Sequence, residues 1–341
     1  MKHFFKFILL GLLGLGYLGS EAQDIHFSQF NSSPMTLNPA LSGINGCDYR
    51  LVANFKSQWF SVSDGKTFRT IAASYDQAVA KRTSYGNYAG FGLSFFADQA
   101  GDGSFNTNQL NLNLAYHITL DRRGNHTLSF GIQAGFLQRS VDITKLTFDE
   151  QFVNGVGLDR SLPINENIAR DNFIVGDIGL GALWNINPTD RSNVYAGIGL
   201  THLNQPNQSF LDDPTEKLFL KFTLHGGGRI PVSDKTAFLP SFMVLVQGPH
   251  TEFNLGTYFQ VKTSSLPSDK TALYIGAWYR VQDAIVAAAR VDFGGMNIGF
   301  SYDINLSKLT AGSSANGGPE ISVIYSGCFN RKSVPTYCPV L

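Results

Sequence analysis

Six histidines follow the first residues of the chain: His26, His117, His126, His202, His225 and His250. Any of them could act as a general base or hold a metal. A hydrolase would also need a nucleophile within reach and a third group to orient the imidazole. No nucleophile elbow is present. No His-x-x-x-His and no Asp/Glu/His cluster of ligand spacing occurs. His117 and His225 fall inside segments that read as strands, where a solitary His reads as a hydrogen-bonding group. Gly226-Gly227-Gly228 lies within a strand rather than before a helix, so it reads as close packing and not as a phosphate loop. The expectation is a protein that is not an enzyme, with no catalytic residues, no metal site and no cofactor.

The three cysteines, Cys47, Cys328 and Cys338, take their meaning from the compartment. Met1, Lys2, His3 and Lys6 make a basic start, Phe7 to Leu18 an apolar core, and Ser20-Glu21-Ala22 a small-residue cleavage pattern. Residues 1–22 therefore read as a secretory signal peptide, with the mature chain beginning at Gln23. Outside the cytoplasm disulfides persist, and an odd count leaves one cysteine over. Cys328 and Cys338 are close in sequence beyond the last strand, so they are the expected pair, with Cys47 free. A tail folded back onto the N-terminal segment would instead bond Cys47 to one of them.

These side chains must be carried by strands. Charged residues make up only 15 % of the 341, against about 25 % in an average globular chain. The 26 basic and 26 acidic residues cancel, which argues against nucleic acid as a partner. From Gln109 to Leu120 the chain alternates strictly. Leu110, Leu112, Leu114, Tyr116, Ile118 and Leu120 share one face, and Gln109, Asn111, Asn113, Ala115, His117 and Thr119 the other. About fourteen such segments are predicted, near 49–57, 67–78, 87–97, 107–120, 125–139, 172–187, 192–203, 217–230, 235–247, 251–261, 271–280, 284–293, 295–303 and 318–326.

Many of these are longer than the five or six residues usual in soluble sheets, and about ten tilted residues cross a bilayer. In lipid every backbone N–H and C=O must be paired internally, and among sheets only a closed barrel does that. A soluble sandwich would alternate too, but its outward face would be charged. Here the polar face is Asn, Gln, Gly, Ser and Thr with scattered charges such as Asp177, Lys221, Arg280, Arg290 and Asp303, which suits a lumen. The fold expected is all-β: a transmembrane antiparallel β-barrel of about 14 strands, of the outer-membrane type.

The connections alternate in length. Residues 121–125, 187–191, 231–235 and Gly294-Gly295 are tight, whereas 140–171, 204–216 and 304–317 are long. Short turns at one end and long loops at the other are the outer-membrane pattern, with the long loops outside. Val79–Gly86 and Lys262–Lys270 are long for inner turns, and Gly248–His250 and Val281–Asp283 short for outer loops. The chain thus divides into a signal peptide (1–22), a periplasmic or plug segment (23–48), the barrel (49–326) and a periplasmic tail (327–341).

Several stretches resemble the PorP/SprF family. They are Gln23-Asp24-Ile25-His26-Phe27-Ser28-Gln29-Phe30, Leu37-Asn38-Pro39-Ala40, Asn54-Phe55-Lys56-Ser57-Gln58-Trp59, Ser74-Tyr75-Asp76, His202 to Phe210, Thr223-Leu224-His225-Gly226-Gly227, and the tail from Arg331-Lys332 to Tyr337-Cys338-Pro339. Ile25 stands where the family pattern has Pro, and Phe219-Leu220-Lys221-Phe222 replaces a more basic stretch. The resemblance covers the mature chain in order. It implies an outer-membrane barrel of the type IX secretion and gliding-motility machinery, without enzymatic activity or cofactor. Such a barrel binds a secreted client, such as an adhesin, and helps export it or hold it at the cell surface. The alternative is a FadL-like channel for small or hydrophobic solutes, to which Asn38-Pro39-Ala40 is similar through the N-terminal hatch.

The partners expected are outer-membrane lipid, a secreted client, and periplasmic or lipoprotein components of the machinery. Since the wall is committed to lipid, the binding residues expected lie elsewhere. On the periplasmic side they are Phe27, Phe30, Leu37, Asn38, Pro39 and Leu41. On the outer side they are Phe148, Phe152, His202, Asn204, Gln205, Pro206 and Phe210. Aromatic and apolar anchors seated in pockets dominate binding energy.

Overall fold

The structure, a computed structural model, describes residues 24–58, 68–79, 86–101, 103–122, 124–153, 155–163, 168–263, 271–307 and 315–329. All fourteen predicted segments form strands of one closed antiparallel barrel. They are β1 (Tyr49–Gln58), β2 (Phe68–Val79), β3 (Tyr88–Ala100), β4 (Phe105–Thr119), β5 (His126–Ser140), β8 (Asn172–Thr189), β9 (Ser192–Thr201), β10 (Lys221–Pro231), β11 (Thr236–Gln247), β12 (His250–Lys262), β13 (Ala272–Arg280), β14 (Ala284–Phe293), β15 (Met296–Asn305) and β16 (Asn316–Gly327). Each strand pairs with its sequence neighbour in the barrel. β1 closes the cylinder against β16, from Tyr49 opposite Gly327 to Lys56 opposite Glu320. The long connection after β5 carries its own small hairpin, β6 (Phe152–Val153) with β7 (Gly157–Leu158), which the sequence pattern does not announce.

The alternation sorts as the polarity demands. On β4, Leu110, Leu112, Leu114 and Tyr116 face outward and are 40–54 % exposed, while Gln109, Asn111, Asn113 and His117 are buried in the lumen. The same outward apolar band runs through Phe130, Ile132 and Phe136 of β5 and Ile298 and Phe300 of β15. Apolar side chains exposed in this continuous pattern are a lipid-facing surface, since the core they would otherwise seek is on the opposite, polar face.

Strand boundaries shift by a few residues, once with consequence. The segment expected from residue 217 begins as a strand only at Lys221. Leu218, inside that expected segment, is instead buried in the preceding loop, where its N–H donates to the Pro206 carbonyl at 2.9 Å. At the opposite end of the barrel, Gly294 and Gly295 turn β14 into β15 with φ of 57° and 88°. Two successive positive values define a turn whose twist matches a hairpin and which side chains disfavour.

The barrel's two ends differ. β5 to β8, β9 to β10 and β15 to β16 are joined at the long-loop end, and β4–β5, β8–β9, β10–β11 and β14–β15 at the short-turn end. Residues 24–48 enter neither end as a separate body. They thread the lumen, passing through short helical turns at Phe30–Ser32, Pro34–Leu37 and Pro39–Leu41. Phe30, Met35, Leu37, Ala40, Leu41 and Ile44 form one buried cluster with wall residues that include Leu183, Tyr195, Met243, Tyr258 and Trp278.

The cysteine pairing expected above is corrected. Cys47 is bonded to Cys328, with their Cα atoms 4.6 Å apart across a sequence separation of 281. Barrel closure is the cause: β1 and β16 are neighbours, so the residue just before one strand meets the residue just after the other. Cys338 lies outside the described residues.

Candidate functional site

The lumen segment is a plug held by polar pins from end to end. Asp24 sits at the long-loop end. Its carboxylate accepts from Lys221 Nζ at 3.0 Å and contacts His202 Nε2, and its N–H donates to Gln247. His202 Nδ1 in turn lies 2.8 Å from Asp177, which also accepts from Gln109. Both ring nitrogens of His202 therefore face carboxylate oxygens, which can only accept, so the ring carries both protons. Burial works against that charge. Asp24 and Asp177 oppose it, and together they raise the His202 pKa to about 9.

Further along, the Ser28 and Gln29 N–H groups donate to Glu320 at 2.8 and 2.9 Å. The Ser28 hydroxyl bonds Asp303, which is also paired with Arg280 at 2.7 Å. Lys56 Nζ donates to the His26 carbonyl and Asn54 to the Ser32 carbonyl. Midway, the Asn38 side chain caps the Pro39–Leu41 turn by accepting from Ala40 N. Its amide nitrogen donates to Ala182 O and meets His225 Nε2, each at 3.0 Å. Towards the short turns, His117 Nε2 donates to the Ser42 carbonyl, so Nδ1 accepts from the Ser129 hydroxyl. Asp76 accepts from Gly43 N and from Arg50, whose guanidinium also bonds the Leu41 carbonyl. The Cys47–Cys328 bond then fixes the segment at the short-turn end.

Room for the plug backbone comes from lumen-facing glycines. A Cβ on Gly131 would lie 2.3 Å from Ala40 N, one on Gly90 1.9 Å from Ser42 O, and one on Gly181 2.0 Å from Asn38 Oδ1. The fit is close. Two cavities bordering the plug, one beside Asn31 and Tyr195 and one beside Met35 and Asn54, measure about 10 Å³ each. That is barely enough for one water.

This placement corrects the periplasmic half of the expected binding set. Phe27, Phe30, Leu37, Asn38, Pro39 and Leu41 are all buried within the barrel. Their apolar surface is already covered by the wall, so none presents an anchor to a partner. His202 is likewise buried and latches the plug. What the sequence hides is the meaning of the scattered stretches quoted above. Asn54, Lys56, Asp76, His202 and His225 each touch residues 24–48, although they come from different strands and one loop. The usable signal was glycine on the lumen face of neighbouring strands, where a hollow barrel needs none.

The remaining expected residues lie at the long-loop end. Asn204 ties its loop to β8, donating to Gly176 O and accepting from Ile178 N. Gln205 is exposed and Pro206 half-buried. Phe210 stacks edge-on to Phe105 and Phe173, and its carbonyl accepts from the N–H groups of Ala169 and Arg170, so it joins the two long loops. Arg170 covers Phe173 at 4.6 Å. Phe148 lines a pocket of about 300 Å³ together with Phe105, Val141, Ile143, Leu146, Phe210 and their neighbours. Phe152 projects into solvent from the small hairpin, beside the still more exposed Val156. Among the described residues no three His, Cys, Asp or Glu are placed to hold a metal ion.

A closed barrel of fourteen antiparallel strands, apolar outside and polar within, is an outer-membrane protein. The chain belongs to the PorP/SprF family of type IX secretion system membrane proteins, whose family model matches residues 19–325. No curated protein matches the sequence. Among solved structures the chain is similar to the Ralstonia pickettii toluene transporter TbuX, at 11 % identity over 88 % of this chain and 94 % of that one, with a TM-score of 0.53. The CymD monoaromatic hydrocarbon channel matches at 11 % identity over 93 % and 97 %, with a TM-score of 0.48. A Pseudomonas aeruginosa FadL homologue matches at 10 % identity over 82 % and 88 %, with a TM-score of 0.42. The likeness to TbuX is one of fold.

Proposed function

We propose that this protein is a plugged outer-membrane barrel of the type IX secretion and gliding-motility machinery. Its long loops bind a secreted client, such as an adhesin, and help to export it or retain it at the cell surface. The single observation that carries this reading is the plug, pinned by polar contacts along its length and tied covalently at the short-turn end. A lumen filled in this way supports a scaffold that binds proteins rather than a path for solutes. With the long loops outside, residues 141–171 and 202–220 are the longest connections at that end, and a stable interface needs roughly 800 Å² per partner. Periplasmic or lipoprotein components would meet the short-turn end.

The test is a mild-detergent pull-down of the whole protein beside a variant lacking residues 141–171. Co-purification of machinery components and a secreted protein, with the secreted protein lost from the loop variant, is the expected result. If the variant folds and still retains the client, the outer surface is wrongly assigned. Permeation of a small solute without any co-purifying protein would favour the FadL-like channel instead.

A further inference from the structure

The strongest feature outside the plug is the pocket at the long-loop end. Its volume of about 300 Å³ lies at the lower edge of ordinary ligand sites, and its walls are almost wholly apolar: Phe105, Ile143, Leu146, Phe148, Phe210 and Leu211 among them. The residues that follow the walls are not apolar. Phe148 is followed by Asp149 and Glu150, and Phe210-Leu211 by Asp212 and Asp213, and all four acidic residues are exposed. The two loops, 141–171 and 202–220, hold nine acidic residues against four Lys and Arg. Cations beside the pocket are engaged. Lys145 pairs with Asp142 and donates to Ser104, Arg170 bonds Ser209 O and Asn207, and Arg139, over the wall residue Phe105, bonds Gln208.

We propose that this pocket is a docking site for a basic-aromatic peptide segment of the secreted partner, one large apolar side chain entering the pocket while flanking Lys or Arg residues meet Asp149, Glu150 and Asp212. The inference rests on the secretion reading above and deepens it. An apolar cavity of this size buries one large side chain but gives no polar recognition. The exposed carboxylates next in sequence to the wall residues Phe148 and Leu211 would supply orientation and select against acidic partners, since placing like charges together is costly. The apolar anchor and these carboxylates would then divide the work that hot-spot residues and their surroundings share at protein interfaces.

The experiment uses the full protein in lipid nanodiscs, so that detergent does not occupy the pocket. Fluorescence anisotropy is read with three labelled synthetic peptides: a Trp between paired lysines, the same with glutamates for lysines, and the same with Ser for Trp. The Lys–Trp peptide is expected to bind at least about tenfold more tightly than either control, a step of about 1.4 kcal/mol, and to weaken as salt rises. The combined Asp149→Asn, Glu150→Gln and Asp212→Asn variant should abolish the preference for lysine over glutamate. Asn tolerates the positive φ of 62° at Asp212, so that change does not strain the turn. Leu211→Gln, at a half-exposed wall position, should abolish the preference for Trp over Ser. Faster migration of unboiled protein on a gel verifies the barrel in each variant. Equal binding of the three peptides, or an unchanged lysine preference in the folded carboxylate variant, overturns the proposal. Full capture of a secreted client by that variant also overturns it and leaves the secretion reading standing. Selective Lys–Trp binding by a protein that captures no client has the opposite meaning: the pocket chemistry holds and the secretion reading falls.

Discussion

Replacing Gly131 with Val should unseat the plug without opening the barrel wall. The position lies on β5 facing the lumen, and a β-branched side chain suits a strand. The three atoms nearest its Cβ would be Ala40 N at 2.3 Å, Pro39 C at 2.5 Å and Ala40 Cα at 2.7 Å, all plug backbone. Ordinary contact is about 3.5–4 Å, so the plug must retreat by more than 1 Å. Overpacking of this kind costs about 1–3 kcal/mol. The retreat also separates Asn38 from Ala182 and His225, and each hydrogen bond lost contributes about 1 kcal/mol. A total near 3–5 kcal/mol acts against plug seating while the ladder pairing Gly131 with Ala115 and Gly181 is untouched. Hydrogen exchange of residues 24–48 in nanodiscs reads the plug, and unboiled gel mobility reads the barrel. Two neighbours serve as controls. Gly176→Ala meets nothing within 4 Å and should change neither. Gly135→Ala drives its Cβ to 2.3 Å from Leu110 O of the adjoining strand and should weaken the barrel itself. Wild-type exchange in a folded Gly131→Val protein would refute the reasoning that this glycine exists to admit the plug.

Three other outcomes follow from the same contacts. The His202 latch is pH-dependent: its pKa is raised from 6.5 to about 9, so its stabilisation is complete below 6.5 and is lost as pH rises through about 9. The displacement corresponds to roughly 3 kcal/mol. The protection factors of residues 24–28, which remove the intrinsic pH dependence of amide exchange, should fall across that range, and His202→Asn should remove that fall; constant protection in the wild type sinks the latch. Non-reducing digestion and mass spectrometry should recover a Cys47–Cys328 cross-link, and reduction should lower unfolding stability by at most about 5 kcal/mol for so long a loop. Recovery of Cys328 joined to Cys338 would contradict the barrel closure described above. Finally, Asp24 lies among the long loops, so an epitope inserted just before it should be labelled by antibody on intact cells. Labelling only after permeabilisation would reverse the assigned orientation.

The division of the wall into lipid-facing and lumen-facing residues was legible because it is local. A strand turns alternate side chains to opposite faces, so Leu110 and Asn111 report their surroundings without reference to the rest of the chain. Strand length and the alternation of short and long connections follow from the same one-dimensional pattern. The cysteine partner was not legible, because closure of β1 on β16 joins residues 281 apart and no spacing rule measures that distance. Phe27, Phe30, Leu37 and Leu41 were expected as anchors for a partner, and the structure buries them in the lumen instead. The sequence does not say what covers them, and a partner's surface and the barrel's interior satisfy the hydrophobic effect equally well. His225 read as solitary, and His202 as an outer binding residue, because Asn38 and Asp24 reach them only when a segment nearly two hundred residues earlier is drawn into the lumen. Periodicity along the chain determined the barrel. The plug was decided by contacts across the lumen, which have no period and exist only once the wall encloses them.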